Sequence, residues 1–234
     1  MTSTRPTITL HRAIAVAIVG AALVSLFLLL TAKAEANNDK TYFTVTAGAL
    51  EFATAPALPS SLTGVTLNGE AQNTHTNMTN FKVKDARGTG VGWHVSVSSA
   101  KTVGTTVSEK FKEYCESASV CGANEAHHYV TGGKELEANS LTLNSTAATF
   151  TPSDANVPTY TVECNAGCTI DTPEGSPHKV VSAAVNKGMG SYETVFSNAE
   201  PHGLMLATPM NLATLPNANE VYRVDVVWTL ATLP

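Results

Sequence analysis

Two aromatic residues near the end of the chain and one tryptophan far upstream are the side chains best placed to do chemistry. The stretch "VYRVDVVWTLATLP" puts Tyr222, Val224, Val226, Trp228 and Leu230 in alternation with Arg223, Asp225, Val227 and Thr229. That period-2 pattern predicts a strand with one aromatic, apolar face. The other tryptophan, Trp93 in "GVGWHVSVSS", opens a similar alternation with Val95 and Val97. Rings presented this way either stack on the carbon faces of sugars, polar tip outward, or fill a core. A buried tryptophan removes on the order of 200 Å² from water. The residue types alone favour the core.

Four cysteines form two close pairs, Cys115/Cys121 and Cys164/Cys168. The spacings C-x5-C and C-x3-C are not those of zinc ribbons, and outside the cell they read as disulfides. Three pairings are open, and the local one is expected. A bridge closing so short a loop stabilises by about 2 kcal/mol and shapes a loop rather than a fold. His127 and His128 beside Glu125 are read as solvated loop residues, and no metal site is expected. No G-x-S-x-G, H-E-x-x-H or phosphate-cradling glycine loop occurs. No catalytic residue and no cofactor is expected, and the chain is read as a non-enzyme.

These residues need a scaffold and an address. Residues 1–12 carry Arg5 and Arg12 and no acid, and Ala13 to Leu30 is an unbroken apolar run. Ala32 and Ala34 supply a small-x-small pattern, so residues 1–34 read as an export signal helix. The alternative is an uncleaved signal anchor, because the run is nearly long enough to span a bilayer. Residues 35–41 form a polar linker. From residue 35 onward eleven cations face nineteen acids, a net charge of −8. That balance argues against nucleic acid and anionic lipid as partners. A membrane would be met only through an uncleaved N-terminal segment.

Short β-like runs punctuated by glycine and proline fill residues 42–234, which predicts one all-β domain, an antiparallel sandwich or barrel. "TYFTVTA" reads as its first strand. "NFKVKDARGTGVGWHVSVSS" reads as a hairpin whose Asp85 and Arg87 form a surface pair of little energetic weight. Thr106 and Glu109 match a capping box. Phe111, Tyr114, Cys115 and Ala118 follow at helical spacing, so one short helix is expected over 106–118. The two glycines of "GMGSYETVF" predict a bulge or a close backbone approach.

The C-terminal residues resemble the WxL family of Gram-positive surface proteins, named for two Trp-x-Leu motifs. Tyr222, Val226, Trp228, Leu230 and Pro234 fit its closing pattern, with Val227 where threonine is common. "DARGTGVGWHVSVSS" is similar to its first motif region, with Val95 in the place of leucine. "LEANSLTLNS" and "VVSAAVNKGMGSYETVF" resemble intervening blocks. The likeness covers residues 42–234, with the Cys-bearing stretch 101–135 and "ECNAGC" as insertions. The resemblance implies an exported β domain held non-covalently to peptidoglycan at the cell surface or wall. No sortase motif occurs in the sequence, so retention is expected to come from the folded domain. Trp93, Val95, Tyr222, Trp228 and Leu230 would bind the wall or hold the binding face in shape. The alternative function is a surface subunit that assembles by strand addition or binds other surface proteins, with "TYFTVTA" as the donated strand.

Overall fold

The computed structural model describes residues 41–116, 128–144, 148–152, 161–162, 167–172, 176–197, 199 and 202–233. The expected signal helix, residues 35–40 of the expected linker, His127, Cys121, Cys164 and Pro234 lie outside them. The chain divides into two units, Met1–Val45 and Thr46–Pro234. Of the first, only residues 41–45 are described, and these are exposed and outside any strand.

The second unit is all-β, and its described residues contain strands but no helix. In chain order these are β1 (Leu50–Thr54), β2 (Gln72–Thr76), β3 (Phe81–Asp85), β4 (Trp93–Ser99), β5 (Lys112–Cys115), β6 (His128–Tyr129), β7 (Leu141–Leu143) and β8 (Ala148–Pro152). Then come β9 (Thr161–Val162), β10 (Cys168–Thr169), β11 (His178–Ala183), β12 (Gly190–Phe196), β13 (Leu204–Thr208), β14 (Glu220–Arg223) and β15 (Val226–Thr232). They form four antiparallel sheets, ordered β1-β3-β12-β8, β10-β7-β13-β2, β15-β4-β11-β9 and β14-β5-β6.

The β1 and β15 sheets meet through a shared core. Trp93 of β4 touches Tyr192 of β12, and Trp228 of β15 touches Phe81 of β3, with ring centroids 5.5 and 5.9 Å apart. Phe81, Val83, Val95, Val97, Leu141, Leu143, Ile170 and Leu204 join them in one buried cluster. The period-2 alternation of β3 is expressed directly, with Phe81, Val83 and Asp85 buried and Lys82 and Lys84 turned outward. In β4 both faces are covered, because Ser96, Ser98 and Ser99 are buried as well as Trp93, Val95 and Val97.

Four expectations change, the first at the C-terminus, where the one closing strand expected over Tyr222–Leu230 is instead β14 and β15, which lie in different sheets with Val224 and Asp225 between them. The hairpin over 81–99 is not one: β3 and β4 belong to different sheets, and the loop between them carries the chain across the core. The helix over 106–118 is absent from its described part. Thr106 donates its hydroxyl to Val103 O at 2.9 Å in a turn, and Lys112–Cys115 is a strand between β14 and β6. A strand flanked on both sides buries neighbouring residues alike, so Tyr114 and Cys115 are both buried and mimic a helical stripe. Within the stretch 101–135, Lys112–Cys115 pairs residue for residue with β14. The strand expected for "TYFTVTA" does not form; the chain first bonds to a sheet at Gly48, whose N–H donates to Ala86 O at 2.8 Å.

Candidate functional site

Trp93 is fully buried, and its indole N–H donates to Gly188 O at 2.9 Å. Tyr192 meets the ring edge-on, at 62°. Gly188 has φ +77°, and a Cβ there would lie 2.3 Å from Ala183 Cβ and 2.6 Å from Trp93 Nε1. The close backbone approach expected of "GMG" is thus an approach to the tryptophan itself. Val95 is also fully buried. Neither residue has surface to offer a ligand, so their contribution is to shape.

The turn that delivers Trp93 is held by an ion pair with a buried carboxylate. Asp85 is 2% exposed. Arg87 donates to it through Nε at 2.9 Å and Nη2 at 2.8 Å, and Nη2 also reaches Gly92 O at 3.0 Å. The Arg87 backbone N–H adds a bond to Asp85 Oδ1 at 3.1 Å. Arg87 holds the Asp85 carboxyl below its ordinary pKa, with burial opposing. The reading of this pair as a solvated turn is therefore corrected: a half-buried guanidinium gripping a buried carboxylate by two prongs fixes geometry in a way a surface pair does not. Gly92, at φ +35°, leaves a Cβ no room, with Ala183 O only 2.4 Å away.

The two motifs sit side by side. β15 pairs with β4 so that Leu230 faces Val95, Trp228 faces Val97 and Thr232 faces Trp93. Trp228 and Leu230 are half-buried against the core, and Val227 and Thr229 are exposed. Where β14 passes into β15, Asp225 accepts bonds from Ser108 N at 3.0 Å, Tyr129 Oη at 2.7 Å and Arg223 Nη2 at 3.1 Å. Arg223 in turn lies 4.4 Å over the Tyr114 ring. Burial first, then Asp225, pushes the Tyr129 hydroxyl pKa up, so it stays a donor.

Tyr222 stands apart from the tryptophans. Its hydroxyl donates to Ala213 O at 2.8 Å. It lines a groove of about 920 Å³. One stretch of the lining is the 58–67 run, with Leu58, Leu62, Val65 and Leu67. Another is the 212–224 stretch, with Leu212, Leu215, Tyr222 and Val224. The buried Phe111, Leu136 and Leu141 lie beneath. Ser60, Ser61, Thr63, Thr208, Thr214 and Asn217 add hydroxyls and an amide, and among the lining residues Arg223 is the single cation beside two acids, Glu116 and Glu220. Thr63 keeps the 58–67 run in place: its N–H donates to Thr76 Oγ1 at 2.8 Å and its hydroxyl to His75 O at 2.6 Å. Apolar patches interleaved with hydroxyls suit a ligand with both carbon faces and polar groups.

The five residues singled out from sequence therefore fall in two places. Trp93, Val95, Trp228 and Leu230 share the β4–β15 ladder, and Tyr222 borders the groove. Sequence reasoning missed Leu58–Leu67 as a groove wall and Asp225 as a junction. The leucine spacing among prolines and threonines was visible; nothing in the sequence tied Asp225 to Tyr129. No cysteine is free among the described residues, and Cys115 is fully buried.

No curated protein and no solved structure matched the chain. The WxL family profile, described as WxL domain surface cell wall-binding, matches residues 31–234. The matched span includes Trp93 and Trp228 of the β4–β15 ladder. With the profile spanning both motifs and nearly all of the chain, the protein belongs to the WxL domain family of surface, cell wall-binding proteins.

Proposed function

We propose that this domain attaches non-covalently to peptidoglycan, with the Tyr222 groove as the contact and the tryptophan ladder as its support. The observation that carries the reading is the groove itself, in a chain of a wall-binding family: an apolar trough with hydroxyls along it and with Glu116, Glu220 and Arg223 as its charged groups. Sugar rings present carbon faces and hydroxyls together, and aromatic and aliphatic walls with fixed polar groups recognise both. The acidic balance of the chain leaves little to electrostatic capture of anionic wall polymers. The groove supports contact through shape and hydrogen bonds instead. Export to the cell surface belongs to the same reading, with residues 1–34 as the signal.

The test is co-sedimentation with purified peptidoglycan sacculi stripped of secondary polymers. Leu67, 41% exposed on the groove wall, is changed to Glu. The expected result is a several-fold drop in the pelleted fraction with the melting temperature unchanged. Retention of wild-type pelleting by Leu67→Glu together with Tyr222→Ala would remove the groove from the reading.

A further inference from the structure

Strand β15 is an edge strand, and natural edges of this length carry guards: a lysine, a proline, a bulge or a covering loop. The edge of β2 has such a cover in the 58–67 run, through Thr63. β15 reads "VVWTLAT", with no charge, proline or glycine, and among the described residues only β4 pairs with it. Val227 is 45% exposed on it. The same chain carries a second unpartnered element. In residues 41–47, "TYFTVTA", Tyr42, Phe43 and Val45 are 91%, 86% and 80% exposed. Among the described residues none of the seven has a hydrogen-bond partner. Each feature is costly alone: one exposes ladder groups, the other exposes rings.

They match in three respects. Both are seven residues long. Both are uncharged, so bringing them together sets no charge against another. Both alternate in the same sense. Phe43 and Val45 would continue the Val226, Trp228, Leu230 face, and Tyr42, Thr44 and Thr46 the Val227, Thr229 face.

We propose that residues 41–47 of one copy add as a strand to the outer edge of β15 of a second copy, building head-to-tail assemblies. Backbone ladder bonds supply the affinity, and the aromatic side chains set the register. The donor and acceptor are different surfaces, so the contact is heterologous and propagates into filaments unless it closes into a ring.

The test is sedimentation velocity on the full chain in mild detergent across rising concentration. Wild type is expected to shift from monomer to a ladder of higher masses. A donor-blocked variant, Phe43→Lys with Val45→Lys, and an acceptor-blocked variant, Val227→Lys with Thr229→Lys, each sediment as monomer. All four positions are exposed, and circular dichroism melts check that each variant stays folded. Mixing the two variants restores one species only, of twice the monomer mass, because each retains the half the other lacks. Wild type that stays monomeric throughout overturns the proposal. So does a ladder that survives either block. Dissolution by the acceptor block alone overturns the donor assignment and points to β15 pairing with its own copy. Sacculus pelleting of both blocked variants reads the groove independently, so failure of one proposal is separable from failure of the other.

Discussion

Replacing Gly188 by alanine isolates what the close approach to Trp93 is worth. Gly188 and Gly69 have similar backbones, φ +77° and +84°, but a Cβ at Gly69 meets open space. Gly69→Ala therefore reports backbone strain alone. A left-handed residue with a side chain costs about 1–2 kcal/mol. The stiffer unfolded chain returns about 0.4–1 kcal/mol. The net for Gly69→Ala is about 1 kcal/mol. Gly188→Ala adds the collision with Ala183 Cβ at 2.3 Å and Trp93 Nε1 at 2.6 Å. Overpacking of a tight core costs about 1–3 kcal/mol. Displacing the indole from Gly188 O leaves a buried donor unpaired, a further 1–3 kcal/mol or so. The two variants should then differ by about 3 kcal/mol, which for a domain of this size separates their melting temperatures by roughly 6–12 °C. The assay is paired thermal and urea unfolding, with Trp fluorescence reporting the indole environment. Equal melting points for the two alanine variants, within about 1 kcal/mol, would refute the claim that Gly188 is kept for Trp93.

Arg87→Ala strands the buried Asp85 carboxylate and should cost about 3 kcal/mol in urea unfolding. The matching Asp85→Ala/Arg87→Ala double variant should lose less than the summed singles. The Asp85 pKa is lowered on folding, so its contribution is complete above the unfolded carboxylate value of about 3.9. It disappears as pH falls through the lower folded value. Asp85→Asn should flatten that acid limb of the stability profile. Trp228→Ala removes a half-buried ring from Phe81 and should lower stability by about 2 kcal/mol, so its effect on wall pelleting must be read against its melting curve. For the cysteines we propose local pairing, Cys115–Cys121 and Cys164–Cys168. Non-reducing peptide mapping should recover those two links, and a crossed link would overturn the assignment.

The closing alternation and the family motifs were legible in which side chains turn inward, but not as one strand, because the run breaks at Val224–Asp225 into β14 and β15 of different sheets. Tyr222, Val224, Val226, Trp228 and Leu230 all pack on the core as their spacing requires. Burial of Trp93 was also legible from residue type. The destination of β3 and β4 was not: two alternating runs joined by a glycine-rich turn look alike whether they pair or part. What decides is the Asp85–Arg87–Gly92 network, a three-dimensional contact between residues whose types also suit a surface turn. The false helix at 106–118 has a similar origin. Burial on both faces of β5 erases the period of two, and Phe111, Tyr114 and Cys115 then fall at the spacing of a helical stripe. The groove escaped notice because its walls come from segments 58–67 and 212–224, far apart in the chain.

The Asp225 junction has a consequence for alignment. The run Val226–Thr232 carries no charge of its own, so its offset against β4 rests on its apolar face and on what holds its ends. Slipping by a single residue would swing Trp228 from Phe81 into solvent. Asp225 stands immediately ahead of that run, and its carboxylate is claimed by Ser108, Tyr129 and Arg223 together. Any slide would surrender the bonds to Ser108 and Tyr129 at once, while Arg223 travels with the strand, so one acidic residue serves as the zero mark from which the uncharged ribbon is measured.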